Sequence, residues 1–509
     1  MKRVLLHIAV LWFSGLTWAL NVKDFGAMGD GYHIDSPAIN AAIISATSEE
    51  GEGIVVFPEG IYLCYSIRLQ SNVTLRFEEG AVLKAALPNN NEGYDEAESN
   101  ESHYQDFGHS HWHNSLIWGE HLHDVILEGK GLIDGTGVLL REGSSRGKRE
   151  IQQANKALAM RECESVTVCG LSFLNCGHFA MLMTGVDNLL IDGVVVDSNR
   201  DGIDIDCCEH VIIRNSYVNT LNDDAIVLKC SWALGYAKPT SDVQIYDCHV
   251  SGFDPGSMIE GTFTTKQGIA PDGDGPTGRI KLGTESSGGF KDITISRCTF
   301  SRSRGLALET VDGAIMENIQ VSDLTMRNIC NSPIYICLGS RMRVPEGFHS
   351  SSVRGICINN VHADNVDARY ACLITGLEGN NVRDVRIENL HVSYHGGFTL
   401  DDVTQQRGAN PFFFNKIRSE SPPGVTNYPE PAAHGIQPAW GLCFYHASDI
   451  KLSDLHLETL ETDERPWISC SDTSSINLQN IVIKNGGKMF IVNNTIVNED
   501  YFQEFIPNR

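Results

Sequence analysis

Three things are scarce in this chain: long apolar runs, basic surplus, and the cysteine spacing of a small stapled domain. Beyond the first twenty residues no stretch reaches 18 consecutive apolar residues, so no segment reads as a membrane-spanning helix. Lys and Arg total 39 against 64 Asp and Glu, a net charge of −25. That balance removes the basic face that nucleic acid requires. It also disfavours a surface built to hold a polyanion, apart from a local basic cluster. Cysteines number 15 in 509 residues. The count is odd and the spacings are not those of a disulfide framework, so most are expected to be free and structural. What is present, 42% apolar residues, suffices for a large core and excludes disorder.

Met1–Ala19 reads as a secretory signal. Lys2 and Arg3 precede an apolar run, Val4 to Leu16, and Thr17-Trp18-Ala19 supplies a small-x-small end. The remainder, residues 20–509, is expected to form a single domain that is secreted or periplasmic.

Internal repetition sets the architecture. Windows starting at Ser165, Asn188, His210, Asp242, Asp292, Asn318, Gly355, Asp384, Asp449 and Ser475 carry apolar residues at offsets +1, +3, +6 and +8, with a weaker copy at Asp124. Steps of two are strand periodicity, and the odd step between them is a corner. Two short strands joined by a bend, repeated with a minimum spacing of 22 residues, describe coils of a parallel β-helix. Ser216, Cys248 and Cys298 share an inward position, where a thiol acts as a small buried hydrophobe. Ser36-Pro37 ahead of Ala38, Ile39, Ala42 and Ile43 predicts a helix with Ser36 as N-cap and Pro37 at N1, capping the open end of the stack.

Carboxylates concentrate in Asn199-Arg200-Asp201-Gly202-Ile203-Asp204-Ile205-Asp206 and Asn222-Asp223-Asp224. Asp201 and Asp223 each lie 13 residues into successive repeats. With coils about 4.8 Å apart, Asp223 is expected above Asp201 with Asp224 beside it. Crowded like charges push one carboxyl to hold its proton, the arrangement an acid working beside bases needs. The same cluster also fits a solvated acidic corner or, with Asp204 and Asp206, a calcium site.

These residues resemble glycoside hydrolase family 28, the polygalacturonase and rhamnogalacturonase family, over nearly the whole chain after the signal. Gly26-Ala27-Met28-Gly29-Asp30-Gly31, Phe57-Pro58-Glu59-Gly60-Ile61-Tyr62 and Gly129-Lys130-Gly131-Leu132-Ile133-Asp134-Gly135 are similar to its N-terminal segments. Asn199-Arg200-Asp201 resembles its Asn-Thr-Asp motif, and Asp223-Asp224 its Asp-Asp motif. The resemblance implies an all-β, right-handed parallel β-helix of the pectin-lyase-like kind. It implies hydrolysis of pectic polysaccharide with inversion, Asp223 being the general acid while Asp201 and Asp224 activate water. Acid and base should then stand about 6.5–9.5 Å apart. It implies a pectic substrate as partner, no cofactor and no metal; a monomer is expected.

Two departures stand out. The family's Gly-His-Gly should precede Leu282-Gly283-Thr284-Glu285, yet Pro276-Thr277-Gly278 stands there, and His178 is a possible stand-in or a packing residue. The family's Arg-Ile-Lys should fall at Gly305–Thr310, where Ala307 and Glu309 replace both cations. A Glu there repels a uronate, which argues against plain polygalacturonan. Arg279, Lys281 and Lys229, with Arg341 and Arg343 further on, are candidate replacements, since a guanidinium grips a carboxylate with two bonds. Candidate substrate contacts are therefore Asn199, Lys229, Arg279, Lys281, Glu285, Glu309 and His178.

Extra residues around Ser231–Thr240 and Asp254–Pro276 are expected to wall one end of the cleft and favour exo action. Asp272-Gly273-Asp274-Gly275 reads as a turn. His109, His111 and His113 read as a loop rather than a metal site, and Trp440, near Tyr428-Pro429-Glu430-Pro431, is a candidate for stacking on sugar. Two rival readings stay open: a calcium-dependent pectate lyase-like enzyme with Lys229 as base, and a non-catalytic carbohydrate-binding β-helix.

Overall fold

The computed structural model describes residues 19–47, 53–89, 91–99, 104–105, 107–140, 152–266, 275–347, 351–408, 428–486, 490–492 and 495–497. The chain winds as a right-handed parallel β-helix with three strands per coil. One face stacks Glu164–Cys169, Asp187–Asp192, Glu209–Arg214, Thr240–Tyr246 and Phe290–Ser296. A second stacks Ser172–Leu174, Val195–Ser198, Tyr217–Thr220, His249–Ser251 and Thr299–Ser303. The third stacks Phe179–Thr184, Asp201–Asp206, Ile226–Cys230, Ile280–Ser286 and Leu306–Thr310.

The odd step of the repeat is a left-handed corner. Offset +5 holds Gly193 (φ 65°), Asn215 (52°), Asp247 (55°), Arg297 (51°) and Asp323 (57°). Offset 0, the start of each window, is left-handed too, as at Asn188 (55°), Asp242 (51°) and Asp292 (55°). Asn, Asp and Gly tolerate that conformation best, which is why they punctuate the sequence. Stacked corners also bond to each other, Asn360 Nδ2 donating to Asp323 at 2.6 Å and Asn389 Nδ2 to Asn360 at 3.0 Å.

Inward positions form one continuous core. Val166, Val168, Leu171 and Phe173 are fully buried, as are their counterparts on later coils. All 15 cysteines are free thiols. Ser216, Cys248 and Cys298 do the same job on three coils, each donating to the carbonyl two residues back (Arg214, Tyr246, Ser296) at 2.8, 3.4 and 3.3 Å.

The helix Ser36–Ala46 packs Ile39, Ala42 and Ile43 against the core. Its N-cap is Asp35, not Ser36 as expected. Asp35 turns its carboxylate to the backbone N–H groups of Met28 and Gly29 (2.7 and 3.0 Å), and Ser36 Oγ accepts from Tyr65 N at 2.7 Å. Both side chains thus tie the helix to the first coils. Of the expected signal, Met1–Trp18 lies outside the described residues; Ala19 opens a strand, Ala19–Asn21, paired with Gly53–Phe57. Asp272–Asp274 also lie outside them. No helix among the described residues is long and apolar enough to cross a membrane.

Candidate active site

The acidic residues meet where the second face turns into the third. Oxygen atoms of Asp201, Asp223 and Asp224 all lie within 4.8 Å of one another. The register differs from the expected one. Ser198 pairs with Thr220, 22 residues on, but Ile203 pairs with Ile226, 23 on. Leu221 is the extra residue in that corner, so Asp224, rather than Asp223, stands in register with Asp201. Gly202 N donates to Asp224 O at 3.0 Å accordingly. Asp223, displaced to the rim, is ion-paired with Arg200. Its side chain is 19% exposed, against 5% for Asp201 and for Asp224. One oxygen of each carboxyl comes within 4.8 Å of the others, because groups on adjacent coils inherit the spacing between strands.

Asp201 and Asp224 are pushed in opposite directions. Burial first, then the charge of Asp223, pushes the Asp201 pKa well above the usual carboxylate range. Burial also acts to raise Asp224, but Lys281 (3.5 Å) and Arg279 (2.7 Å) outweigh it and hold the group at about 2. One member of the cluster therefore keeps a proton and another stays ionised.

Beneath and beside them lies a buried ion network. Lys229 reaches Asp204 at 2.6 Å, and Asp201 and Glu285 at 3.7 Å each. Glu285 also meets Arg341 at 3.4 Å; burial opposes its ionisation, but Arg341 and Lys229 hold its pKa well below the usual range. Arg279 bridges Asp224 to Glu430 at 2.5 Å, and Arg304 reaches Glu430 at 3.5 Å. Lys281 lies between Asp224 and Glu309, 3.4 Å from the latter. Burial raises Asp204 and Glu309 to about 7, and among the described residues Asp204 Oδ1 and Glu309 Oε1 have no hydrogen-bond partner.

Of the expected substrate contacts, Asn199 is exposed at the rim, held by Asn222. Lys229, Arg279, Lys281, Glu285 and Glu309 gather around the aspartates, but each is buried and engaged by a neighbour of opposite charge. His178 reaches Asp201 from one coil below and packs flat on Phe179, ring centroids 4.3 Å apart. Arg343 donates its backbone N–H to Asp312 at 2.9 Å. Trp440, expected as a stacking surface, is fully buried, its ring edge against Tyr394.

The three loop histidines diverge. His111 meets Ser110 Oγ, His113 meets Glu120, and His109 faces Lys229 Nζ at 2.6 Å. His109 was not expected here: it comes from the turn Phe107–His109, more than 90 residues ahead of the aspartates. Burial first, and then Lys229, drives its pKa well below the usual value, so it accepts from Lys229 as a neutral ring. His109, His178 and Asp201 approach within 4.8 Å of one another, a donor set of metal-binding type, but the Lys229 ammonium already lies among them. Likewise Arg200, Arg279 and Lys281 already neutralise the aspartate trio, which leaves it a poor calcium site. Asp206 spends both oxygens on Ser231.

A two-coil aspartate trio on a parallel β-helix agrees with the sequence comparisons. The profile of "Glycosyl hydrolases family 28" matches residues 91–252, the span that ends just past Asp223-Asp224. Over that span this chain is similar to glycosyl hydrolase family 28. A probable polygalacturonase of Vitis vinifera is 26% identical over 61% of this chain and 61% of its own length. The plasmin and fibronectin-binding protein A of Streptococcus pneumoniae is 33% identical over 34% of this chain and 23% of its own length. The chain thus spans under two thirds of either relative. Among solved structures, a hyperthermoactive exopolygalacturonase from Thermotoga maritima shares the fold, with a TM-score of 0.58, 21% identity, and coverage of 74% of this chain and 87% of that one.

In the stretch that stands where the family has Gly-His-Gly, buried Thr277 takes the middle position. Gly278 beside it adopts φ 44°, its N–H donates to Asp223 O at 3.0 Å, and a Cβ there would lie 2.2 Å from Ser251 O. Imidazoles approach Asp201 from below instead, through His178 and His109.

Proposed function

We propose that this chain acts as a family 28 glycosidase and hydrolyses glycosidic bonds in pectic oligosaccharides, using Asp201, Asp223 and Asp224. The observation that carries the reading is the split within one tight cluster: burial and the charge of Asp223 push Asp201 toward its protonated form, while Lys281 and Arg279 hold Asp224 ionised. Asp223, the most open of the three, delivers the proton to the leaving oxygen. Asp224 and Asp201 hold the water, with Asp224 taking its proton. Two carboxylates on stacked coils can cradle water from one side, so the short spacing is compatible with inversion, which rests on the family resemblance.

The charge pattern favours a sugar without a carboxylate at the cleaved bond. Arg200, Lys229, Arg279, Lys281, Arg304 and Arg341 are each within 4.0 Å of a protein carboxylate. Glu309 occupies ground where the family places a cation. A uronate entering here finds its cations already matched, so rhamnogalacturonan-type pieces are the preferred substrates. Exo action is supported by the loop that follows Phe253, whose backbone is bonded to Asp197, four residues before Asp201, and export by the N-terminal signal pattern.

The test is a screen of oligogalacturonides and rhamnogalacturonan oligosaccharides with product analysis. The proposal expects saturated sugars, released faster from the rhamnogalacturonan set. An unsaturated, ultraviolet-absorbing product abolished by a chelator establishes the lyase reading and overturns this one.

A further inference from the structure

The segment Tyr428–His434 is fastened to the site by charge. Glu430, 3% exposed, is clamped by the Arg279 guanidinium at 2.5 and 3.1 Å and approached by Arg304 at 3.5 Å. His434 Nε2 meets Tyr335 Oη at 3.2 Å. Pro429 and Pro431 flank Glu430 and stiffen the backbone around the anchor. Removing a buried partner from such a cluster leaves uncompensated charge, so the segment is held in place rather than merely resting there.

Two residues before the anchor, Tyr428 is 45% exposed. Its ring lies over the Lys281 ammonium, 5.0 Å from Nζ to centroid, and the two tips approach at 3.3 Å. Lys281 is the same group that holds Asp224 ionised. Tyr428 therefore stands above the aspartates with one ring face committed to a cation and much of its surface open. An exposed aromatic fixed in a polar site offers an apolar plane, and the C–H face of a pyranose ring is its natural complement.

We infer that Tyr428 is a substrate-contacting platform on which the sugar at the cleaved bond lies, set in position by the Glu430–Arg279 anchor. This rests on the pectic hydrolase reading. The anchor and the catalytic base share Arg279, so the platform's position is tied to Asp224 without either touching the other.

The test measures steady-state kinetics of Tyr428→Ala and Tyr428→Phe on the oligosaccharide that wild type turns over. Binding of rhamnogalacturonan and galacturonan oligosaccharides to Asp223→Asn proteins, with and without Tyr428→Ala, is measured in parallel. Tyr428→Ala is expected to raise KM and Kd roughly five- to tenfold with kcat changed far less, the scale of one aromatic contact. Tyr428→Phe is expected to stay within about twofold, because the ring and not the hydroxyl does the work. Tyr428→Ala with wild-type KM and Kd overturns the platform, as does equal damage by Phe and Ala, which would assign the effect to the Lys281 contact. Absence of turnover by wild type, with oligosaccharide binding that still depends on Tyr428, counts against the hydrolase reading alone. Absence of measurable binding to any of these oligosaccharides overturns the platform.

Discussion

Arg200 is the residue whose chemistry departs furthest from what its position in the motif suggests. It replaces a neutral side chain in the Asn-x-Asp pattern and is ion-paired with Asp223. Its charge lowers the proton affinity of Asp201, against burial and Asp223, which raise it. The sign follows directly: Arg200→Thr removes a stabiliser of the ionised cluster, so the cluster keeps its proton to higher pH. The alkaline limb of kcat/KM is expected to move upward in this variant, by about one pH unit for a single nearby charge. An unmoved or acid-shifted limb in the pH–rate profile contradicts the assignment. The aspartates themselves were legible as carboxylates repeating at one place on successive coils. Their exact pairing was not, because one inserted residue, Leu221, shifts the register by a step that offset counting cannot see. His109 was equally hidden. No local pattern links a turn near residue 109 to Lys229; only the stacking of coils does.

At the scale of the element, the corners were readable and the loops were not. The odd step in the repeat marked each corner, and the left-handed residues at offsets 0 and +5 are its physical cause. The loop after Phe253 has no such periodicity; Asp254 ties it internally, and the buried Asp197 carboxylate ties it to the coil. Asp197 accepts from Asn219 Nδ2, Gly256 N, Met258 N and Ile259 N at 2.8, 2.9, 2.8 and 2.9 Å. Asp197→Ala leaves these donors unmatched and is expected to cost about 3 kcal/mol in chemical denaturation. Proteolytic nicking within residues 253–266 should rise in parallel. A variant as stable and as resistant as wild type would show that the loop is held by other contacts. The strap carrying Tyr428 and Glu430 was similarly opaque, since an acid between two prolines reads as a surface turn until Arg279 is found beneath it.

For the whole molecule, solenoid packing and the buried ion network set how stability follows pH. Asp204 and Glu309, both 0% exposed, are raised to about 7 chiefly by burial. Between pH 4 and 7 the native state thus holds protons that the unfolded chain releases, and stability falls as pH rises through that window. Asp224, lowered to about 2, and Glu285 and Glu430, also lowered, act oppositely: their contribution is lost as pH drops below about 4. The melting temperature is therefore expected to peak near pH 4–5 and to decline toward pH 7, with a flatter decline in Glu309→Gln. A calorimetric profile that climbs from pH 5 to 7 contradicts this. The thiols add no cross-links, so reductant should leave the melting temperature unchanged. The continuous core and parallel stacking were the most legible features of the sequence, because every coil repeats the same inward set.

The most direct check of the account compares wild type with Asp223→Asn on the same pectic oligosaccharide. The substitution keeps shape and removes the transferable proton. The account predicts a loss of kcat of roughly 10²–10⁴-fold, with oligosaccharide binding retained. An Asn variant that turns over within tenfold of wild type would contradict it.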